Sequence, residues 1–488
     1  MFLKYFIDTI NMACIFPPQF QQHKQRVAMK LVIAGGGISA LSLLKTLSLA
    51  PEVTTSIAEI VVYAPYGLGH APNFFNQPQS SLCNTSAGVM SLVYDQPDQY
   101  CDWLRRQGLP YQAADFTPRS LFGQFLREEA YHVVQTFKHL GIPMSVVNES
   151  LTSFETMETQ VLCYSKRGVD QADYLVMATG HQDRVASTPK YLLYPEHQDR
   201  IMDTVFDDQR VLVLGSRLSA VDAILLLEDK PLGALDVASR SARFPAVRKQ
   251  LLRTPPQVLN VARILNDARR NGVSVYTQFT HAMHDEIGRH YQGTLQPEFD
   301  EATQQLALDI DHMLDNNVGW QDTLDNIMLH LNALWEHFTE EERESFYQQY
   351  DGFMKRYLYA FPVVNAQRLQ RTLETFDARI FAADCRHICL DQDGKFSLGT
   401  STYDYIIDAT GCRKMPIARH GDVCTINAQN GDGNMAQTKF HLEGVNNVFV
   451  TGSIRTYLPV VNYVNEIAQF NQELVSELFN NIKNSCFV

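Results

Sequence analysis

The chain has 488 residues, a length that predicts two or three domains. Its residues are 45% hydrophobic and 19% charged, which is a composition that can bury large cores. Its formal net charge of -13 at pH 7 argues against nucleic acid as the main partner, because phosphate binding needs clustered Lys and Arg. Nine cysteines without regular spacing favour free thiols in a reducing compartment over a disulfide scaffold.

Residues 1–28 are predicted to form an N-terminal extension that precedes the first domain. The apolar stretch at residues 2–7 is interrupted by Lys4 and is followed by no convincing cleavage site, which argues against a secretory signal. The longest apolar run, residues 31–44, is too short and too rich in glycine to span a bilayer. We therefore expect a cytoplasmic protein that does not interact with membranes.

Residues 30–44 predict a nucleotide-binding turn between a strand and a helix. Branched apolar residues at 31–34 are typical of a strand buried on both faces, and the apolar spacing over 38–49 is helical. Between them, three small residues fill the positions of the G-x-G-x-x-G/A fingerprint, namely Gly35, Gly37 and Ala40. Such positions allow a tight turn, close approach of a pyrophosphate to the main chain, and close packing of the helix on the strand.

The next predicted strands carry further signals. In a dinucleotide fold the second strand ends in Asp or Glu, which binds the ribose hydroxyls, but here residues 59–63 end at Tyr63. Ribose recognition is therefore expected to differ, or this site is weakened. A third strand is predicted at 142–147, and residues 160–165 are predicted to form part of a β-hairpin. A fourth strand, 173–178, ends in Ala178-Thr179-Gly180, a small turn that can pass close to a cofactor.

A second strand, turn and helix begins at Arg210. Strand 211–214 leads into Gly215, Ser216, Arg217, Leu218, Ser219 and Ala220, so that Arg217 replaces the central glycine. A side chain there either hinders the close approach of a pyrophosphate or contacts phosphate itself. The next strand ends in Ser239 and Arg240, where a 2′-phosphate would lie, which favours NADPH over NADH. A solvated surface charge explains Arg240 equally well.

The rest of the chain first becomes helical and then returns to strands. An amphipathic helix is predicted at 256–273, and an acidic helical region at 298–373 includes Trp320 as a core residue. The elements predicted after it are a β-meander of 379–383, 387–390 and 395–398 around Asp393-Gly394, a second Ala-Thr-Gly strand at 403–411, a strand at 447–450 that ends in Thr451-Gly452-Ser453, and a last helix from about Asn462 to Ile482.

Taken in order, these motifs resemble two-dinucleotide-domain flavoproteins. The closer similarity is to FAD-NAD(P)-binding proteins, relatives of N-hydroxylating flavin monooxygenases, and it is carried by residues 66–71, 82–85, 118–126, 214–222, 239–245 and 334–362. The resemblance implies an α/β fold in which a Rossmann-like FAD domain is interrupted by a second Rossmann-like NAD(P) domain, with a helical insert. The implied division is 1–28 as extension, 29–195 as the first part of the FAD domain, 205–295 as the NAD(P)-binding-like domain, 296–375 as the insert and 376–488 as the second part of the FAD domain.

The same resemblance implies roles for particular residues. Those expected at the FAD pyrophosphate are Gly35, Gly37, Ser39 and Ala40, with Tyr63 at the ribose strand end and Val147 against the adenine through its backbone. Those expected to flank the flavin or its phosphates are Asn84, Arg119, Thr179, Gly180, Gly452 and Ser453. Those expected to form the NADPH site are Gly215, Ser216, Ser219 and Arg240. Departures from the family pattern are Ala40 for glycine, Ser453 for aspartate, Arg217 for glycine, and the run 356–359 in place of a His-Arg-rich segment.

The resemblance implies an FAD-dependent, NADPH-driven monooxygenase that acts on a small amine or amino acid. Hydride would pass from NADPH to flavin N5, O2 would form a C4a-hydroperoxide, and a nucleophilic nitrogen would take the distal oxygen. No side chain is assigned a catalytic role. Two alternatives remain open: a non-catalytic nucleotide-binding or interaction protein on a flavoprotein scaffold, and a flavin reductase or dehydrogenase without oxygen transfer. The sequence does not predict an oligomeric state.

Two other kinds of site are disfavoured by the cysteine spacing. A dithiol reductase needs two cysteines that can bridge beside the flavin, but there is no C-x-x-C motif and Cys83 has no partner nearby in sequence. Cys385, His387 and Cys389 alternate as metal ligands on one strand face would, yet a β-meander explains them more simply. We therefore expect no metal site.

Overall fold

The structure is a computed structural model that describes residues 28–485. The positions left out of the description within that span are 76, 182–190, 253–254, 291–299, 316–320, 322, 386–387, 391–393, 412–415, 428–434 and 462. The predicted extension, Trp320, His387, Asp393 and Asn462 therefore lie outside the described residues, apart from the last position of the extension, Ala28.

The strands are numbered in chain order. They are β1 (Met29–Ala34), β2 (Ile57–Tyr63), β3 (Met144–Val147), β4 (Ser153–Thr156), β5 (Val161–Ser165), β6 (Gly168–Ala172), β7 (Tyr174–Met177), β8 (Leu192–Leu193), β9 (Gln209–Leu214), β10 (Leu232–Ser239), β11 (Val247–Arg248), β12 (Phe361–Pro362), β13 (Arg379–Ala382), β14 (Cys389–Leu390), β15 (Phe396–Leu398), β16 (Ser401–Tyr403), β17 (Tyr405–Asp408), β18 (Ile417–His420), β19 (Val423–Ile426), β20 (His441–Leu442) and β21 (Val445–Val450).

The α-helices are numbered in the same way. They are α1 (Ile38–Leu49), α2 (Val53–Ser56), α3 (Gln99–Arg106), α4 (Arg119–His139), α5 (Gln198–Asp203), α6 (Leu218–Leu225), α7 (Val261–Asn271), α8 (Val275–His290), α9 (Ala302–Leu314), α10 (Thr323–Leu334), α11 (Glu340–Phe353), α12 (Val363–Thr375) and α13 (Val464–Ser485). In the described part of the chain, no helix has both the length and the apolar character that crossing a bilayer would require.

The first sheet has the strand order β20-β21-β7-β1-β2-β3, and only β20 runs antiparallel to its neighbour. The predicted strand at 31–34 is confirmed as the last four residues of β1, all of which are buried. Its side chains alternate between two cores. Leu31 and Ile33 pack with α1, α4 and α13, whereas Val32 and Ala34 pack towards a second layer. Because alternate side chains face two different buried layers, all four residues from 31 to 34 are apolar.

That second layer is an antiparallel sheet of order β18-β19-β4-β5-β6. Three of its strands precede the second dinucleotide module in the chain and two follow it. Buried residues such as Phe154 and Cys424 contact the apolar back of the first sheet. The prediction that residues 160–165 form part of a β-hairpin is confirmed, since β5 pairs antiparallel with β6.

The second sheet is parallel throughout and has the order β13-β10-β9-β17-β8. This pairing differs from the predicted domain division. β8 lies within 29–195, and β13 and β17 lie within 376–488, yet all three strands belong to the second sheet. The chain therefore stays with the second module until Asp408, because β17 pairs with β9 through Tyr405 and Val211.

The predicted meander is partly wrong, because its first strand also belongs to the second sheet. Residues 379–382 form β13, which pairs in parallel with β10, and the antiparallel meander consists of β14, β15 and β16. Its buried side chains Phe396 and Tyr403 cover one face of the second sheet, next to Leu212 and Leu214. Buried parallel strands carry similar apolar residues, so their sequences do not specify which sheet they join.

The helical region divides between the two modules. Apolar residues of α7, α8, α10 and α11 join the core of the first module, including Trp335 just after α10. By contrast, α9 and α12 pack on the second sheet together with α6. The predicted helix at 256–273 is confirmed in its central part as α7, which begins after the Asn260 side-chain cap. The insert therefore connects the two modules through separate apolar faces.

Candidate functional site

The first glycine turn leaves no space for a side chain at its first two positions, Gly35 and Gly36. Gly35 has φ +117, and its amide donates to the Tyr63 carbonyl oxygen at 2.8 Å. A Cβ at Gly35 would lie 2.6 Å from the carbonyl carbon of Ala178, at the end of β7, and one at Gly36 would lie 2.7 Å from the Gly67 carbonyl oxygen. The main chain of this turn is thus packed tightly at the carboxyl edge of the first sheet.

Several of the predicted FAD residues come together around this turn. Gly37 is the N-cap of α1, and Ala40 is fully buried where the helix crosses the sheet. Gly452 has φ +73, and a Cβ there would lie 2.7 Å from Ser39 Cβ. A Cβ at Gly180 would lie 3.8 Å from Ser453 Oγ. The ends of β7 and β21 therefore converge on the N-terminus of α1.

Three hydroxyl groups at this convergence have no hydrogen-bond partner among the described residues. Thr179 Oγ1 is shielded from solvent, and the hydroxyls of Ser39 and Ser453 lie on half-buried residues. A buried hydroxyl without a partner costs free energy, so such an atom is expected to bond to something in the working protein. A dinucleotide pyrophosphate offers suitable acceptors, and free N–H groups at the start of α1 favour its charge. The residues present fit FAD.

A polar network that the sequence did not predict holds this edge together. Asn471, on α13, donates to the Ser39 carbonyl and to Ser42 Oγ at 3.0 Å each, and it accepts from Thr451. Arg455 donates from Nε to the Gly452 carbonyl at 2.9 Å, and its Nη2 lies 2.7 Å from Glu466 Oε2. No local sequence pattern marks these residues, because their role depends on burial far from their neighbours in sequence.

Tyr63 and Val147 lie side by side at the ends of β2 and β3, but their polar groups are engaged within the protein. The Tyr63 hydroxyl donates to the Asp170 carboxylate, and burial, together with this hydrogen bond, raises the pKa of Tyr63 to about 12. The Val147 carbonyl accepts from the amides of Ala64 and Glu149, both at 2.8 Å. Because its proton is donated to Asp170, the Tyr63 hydroxyl can only accept a hydrogen bond from a ribose.

We expect Tyr63→Phe to leave FAD affinity within about twofold of wild type while lowering the free energy of unfolding by about 1 kcal/mol, the worth of one hydrogen bond. Equilibrium dialysis against FAD and urea unfolding measure the two effects. A tenfold loss of FAD affinity, with little change in stability, would instead place the hydroxyl at the ribose.

Asn84 and Arg119 lie where the two modules meet. Arg119, at the start of α4, is buried and forms a two-pronged ion pair with Asp222 of α6, with Nη1–Oδ2 and Nη2–Oδ1 distances of 2.9 and 3.0 Å. The Asn84 carbonyl accepts from Arg248, a buried side chain that also donates to the carbonyls of Tyr357 and Leu358. The guanidinium of Arg119 thus joins the modules through a carboxylate, which the sequence did not predict.

We expect Asp222→Asn to retain FAD but to slow flavin reduction by NADPH by roughly tenfold to a hundredfold, because the second module would no longer be held in register with the first. An amide offers one acceptor oxygen where the carboxylate offers two. Stopped-flow bleaching of the flavin measures the rate. Asp267→Asn on α7, which removes an ion pair with Arg270, is the control, and an unchanged rate in Asp222→Asn would contradict the expectation.

The second turn repeats the geometry of the first. Gly215 has φ +103, its amide donates to the Ala238 carbonyl at 2.8 Å, and a Cβ there would lie 2.5 Å from the Ala409 carbonyl oxygen. Ala409 begins the second Ala-Thr-Gly, just as Ala178 begins the first. Each glycine turn is therefore packed on its own Ala-Thr-Gly strand end.

The polar groups of the second turn are more fully bonded than those of the first. Ser216 Oγ contacts Ser239 Oγ at 2.8 Å and donates to the Arg243 carbonyl at 2.7 Å. Thr410, the counterpart of Thr179, donates to Asp408 at 2.6 Å. Ser219 is half-buried near the start of α6, and Arg240 is exposed beyond the end of β10. The four residues predicted for the NADPH site, Gly215, Ser216, Ser219 and Arg240, thus border one turn.

Two glycine turns, each at the carboxyl edge of the parallel strands of one sheet, define a fold with two Rossmann-like dinucleotide-binding modules, which is the predicted architecture. Residues 32–182 match the model of the family described as FAD-NAD(P)-binding, which agrees with the predicted cofactors, FAD and a nicotinamide dinucleotide. No curated protein matches the chain in sequence.

Solved structures with the same fold include three monooxygenases or hydroxylases. L-lysine 6-monooxygenase from Pseudomonas syringae is 12% identical, with 92% of this chain and 99% of that chain covered and a TM-score of 0.53. Ornithine hydroxylase from Pseudomonas aeruginosa is 13% identical, with 93% and 99% covered and a TM-score of 0.50. Lysine monooxygenase from Nocardia farcinica is 11% identical, with 92% and 98% covered and a TM-score of 0.50. At these identities the similarity establishes the fold.

In the described part of the chain, no cluster of three or more His, Cys, Asp or Glu side chains is arranged to hold a metal ion.

Cys83 is buried, and burial raises the pKa of its thiol to about 11. Its Sγ accepts from Thr117 at 3.8 Å. A thiol in this state is a poor nucleophile at neutral pH, because the thiolate is the reactive form.

Proposed function

We propose that this protein is an FAD-dependent monooxygenase that uses NADPH and acts on a small amine or amino acid. The observation that carries the proposal is the shielded hydroxyl of Thr179 beside the closed Gly35 turn, which has no hydrogen-bond partner among the described residues and to which a bound dinucleotide would supply one. The second, repeated turn at Gly215 supports a nicotinamide dinucleotide as the electron donor.

Bound FAD would supply hydride acceptance and oxygen transfer, and the side chains of this chain would bind and orient it. The main chain at Gly35–Gly37 and the hydroxyls of Ser39, Thr179 and Ser453 would hold its phosphates and ribityl chain. Arg119 and Asp222 would fix the second module so that a nicotinamide ring reaches the flavin. Arg240 would favour NADPH over NADH through the 2′-phosphate.

The substrate class rests on similarity of fold. The solved structures reported above carry the names of lysine and ornithine monooxygenases or hydroxylases, and their fold extends over more than nine-tenths of this chain. An amine nitrogen is a nucleophile that can accept an oxygen atom, which is the chemistry those names describe. We therefore propose a primary amine or an amino acid with a terminal amine as the substrate.

The decisive experiment begins with the absorbance spectrum of the purified protein after incubation with FAD. Flavin bands that bleach on anaerobic addition of NADPH would support the proposed electron path. Oxygen consumption is then measured with lysine, with ornithine and with alcohols of the same length, and the products are analysed by mass spectrometry.

Formation of a hydroxylamine from an amine, but of no product from the matching alcohol, is the expected result. Rapid NADPH oxidation that yields only hydrogen peroxide with every amine would favour the reductase alternative. A protein that takes up no flavin would contradict the enzyme proposal and favour a binding protein on this scaffold.

A further inference from the structure

Arg217 occupies the position at which a dinucleotide fingerprint has its second glycine. It is the N-cap of α6, its side chain is half-buried, and Nη1 donates to the Lys355 carbonyl at 2.8 Å. A guanidinium has five N–H donors. The other donors of Arg217 have no hydrogen-bond acceptor among the described residues, so they can bond to a ligand while the Lys355 carbonyl orients the side chain.

The charge of Arg217 is poorly compensated by its neighbours. The charge of Asp351 raises the pKa of Arg217, but the Asp351 carboxylate is paired with Lys355 Nζ at 2.5 Å. Arg356, on the same segment, is balanced by Asp309 through two contacts of 3.0 Å. Burial lowers the pKa of Arg217, Arg356 and Arg240 lower it further, and Asp351 opposes them. Positive charge therefore accumulates at the start of α6.

The second basic residue, Arg240, stands at the other side of the same turn. It is exposed, and within the part of the chain that the structure describes it has no ion-pair or hydrogen-bond partner. The bond from Ser216 Oγ to the Arg243 carbonyl holds the loop that follows β10 against the glycine turn, so the main chain at Arg240 stays close to the turn that carries Arg217. Two separated cations at one turn match a ligand with two separated phosphate groups.

We propose that Arg217 binds the pyrophosphate of the nicotinamide dinucleotide with its guanidinium, in place of the main-chain approach that a glycine would allow. Arg240 takes the 2′-phosphate, so the two arginines read the two anionic parts of one ligand. Arg217 thereby becomes the main source of dinucleotide affinity in the second module, where the hydroxyls of Ser216 and Thr410 are bonded within the protein. This inference rests on the proposed use of NADPH.

The test is isothermal titration calorimetry on the FAD-loaded protein with three probes, NADP+, inorganic pyrophosphate and adenosine 2′-monophosphate. The variants are Arg217→Gln, Arg217→Lys and Arg240→Gln, with the exposed Arg269→Gln of α7 as the control. Arg217→Gln should weaken NADP+ and pyrophosphate by about tenfold to a hundredfold, the effect of losing hydrogen bonds to a charged group. Its affinity for adenosine 2′-monophosphate should stay within about twofold, and Arg217→Lys should recover part of the loss because it keeps the charge.

Arg240→Gln should show the opposite pattern, with the affinity for adenosine 2′-monophosphate weakened and the affinity for pyrophosphate unchanged.

Tighter binding of NADP+ to Arg217→Gln would overturn the proposal, since it would mean that the side chain obstructs the site. An equal loss for all three probes would also overturn it, as would a wild-type protein that binds neither NADP+ nor pyrophosphate. If Arg217→Gln binds NADP+ normally and its flavin is still reduced by NADPH, this inference fails while the proposed function stands. If NADP+ binding needs Arg217 but no amine is oxygenated, this inference stands while the proposed function fails.

Discussion

Gly35→Ala is expected to abolish stable FAD binding. The residue adopts φ +117, and an added Cβ would lie 2.6 Å from the Ala178 carbonyl carbon, which belongs to rigid strand backbone. Left-handed strain and overpacking together should lower the free energy of unfolding by roughly 2 to 5 kcal/mol. The turn can relieve the overlap only by moving away from the end of β7, and this movement displaces the N–H groups that would bind the pyrophosphate.

The measurement is FAD retention on gel filtration, followed by titration of the apoprotein with FAD. Gly141→Ala is the matched control, since Gly141 also has a positive φ of +73 but has no atom within 4 Å of an added Cβ. It should show the strain alone, about 1 to 2 kcal/mol, with FAD affinity unchanged. Gly35→Ala protein that still retains FAD through gel filtration would contradict the assignment of this turn.

Gly215→Ala completes the experiment, because its Cβ would lie 2.5 Å from the Ala409 carbonyl oxygen. The pattern expected is retention of FAD with loss of NADPH-dependent bleaching. Loss of both cofactors would mean that the modules do not act separately.

Arg455→Met is expected to destabilise the protein by about 3 to 5 kcal/mol, the cost of leaving one member of a buried ion pair without its partner. Arg455 and Glu466 are 1% and 2% exposed in their side chains, and the guanidinium carbon lies 3.9 Å from the centroid of the Phe470 ring. FAD affinity should fall as well, because Arg455 Nε fixes the Gly452 carbonyl at the cofactor edge.

Urea unfolding at several pH values separates the charge effect from lost packing. Burial raises the pKa of the Glu466 carboxyl, and Arg455 opposes this shift. In Arg455→Met the folded protein therefore keeps a proton that the unfolded chain releases above about pH 4.3, so the deficit in stability should grow as pH rises from 5 towards 8. A deficit that does not change with pH would point to lost packing alone.

A second substitution provides the internal control. Arg455→Met combined with Glu466→Leu should recover most of the stability, because the unpaired charge is removed and apolar side chains fill the space. FAD affinity should remain reduced in the double variant, since the bond to the Gly452 carbonyl is still missing. Arg105→Met, which breaks an exposed pair with Asp102, should change stability by no more than about 1 kcal/mol.

The sequence by itself determined the local units at which cofactors are expected to bind. Both strand-turn-helix units, both Ala-Thr-Gly strand ends and the helical region were predicted from it, because apolar periodicity and glycine positions act within a few residues. Of the residues predicted to bind FAD, those at the ends of β7 and β21 lie beside the first turn, whereas Asn84 and Arg119 lie where the two modules meet. The replacement of a glycine by Arg217 was likewise visible in the sequence.

Only the tertiary structure decided how these units are combined. β13 and β17 join the second sheet although they follow the insert, and their apolar sequences would suit either sheet. The Arg119 pair with Asp222 and the burial of Arg455 with Glu466 likewise depend on partners distant in the chain or on the packing around them. Charge and hydrogen-bonding capacity are properties of a residue, but the partner that satisfies them is set by long-range packing, which local sequence patterns do not encode.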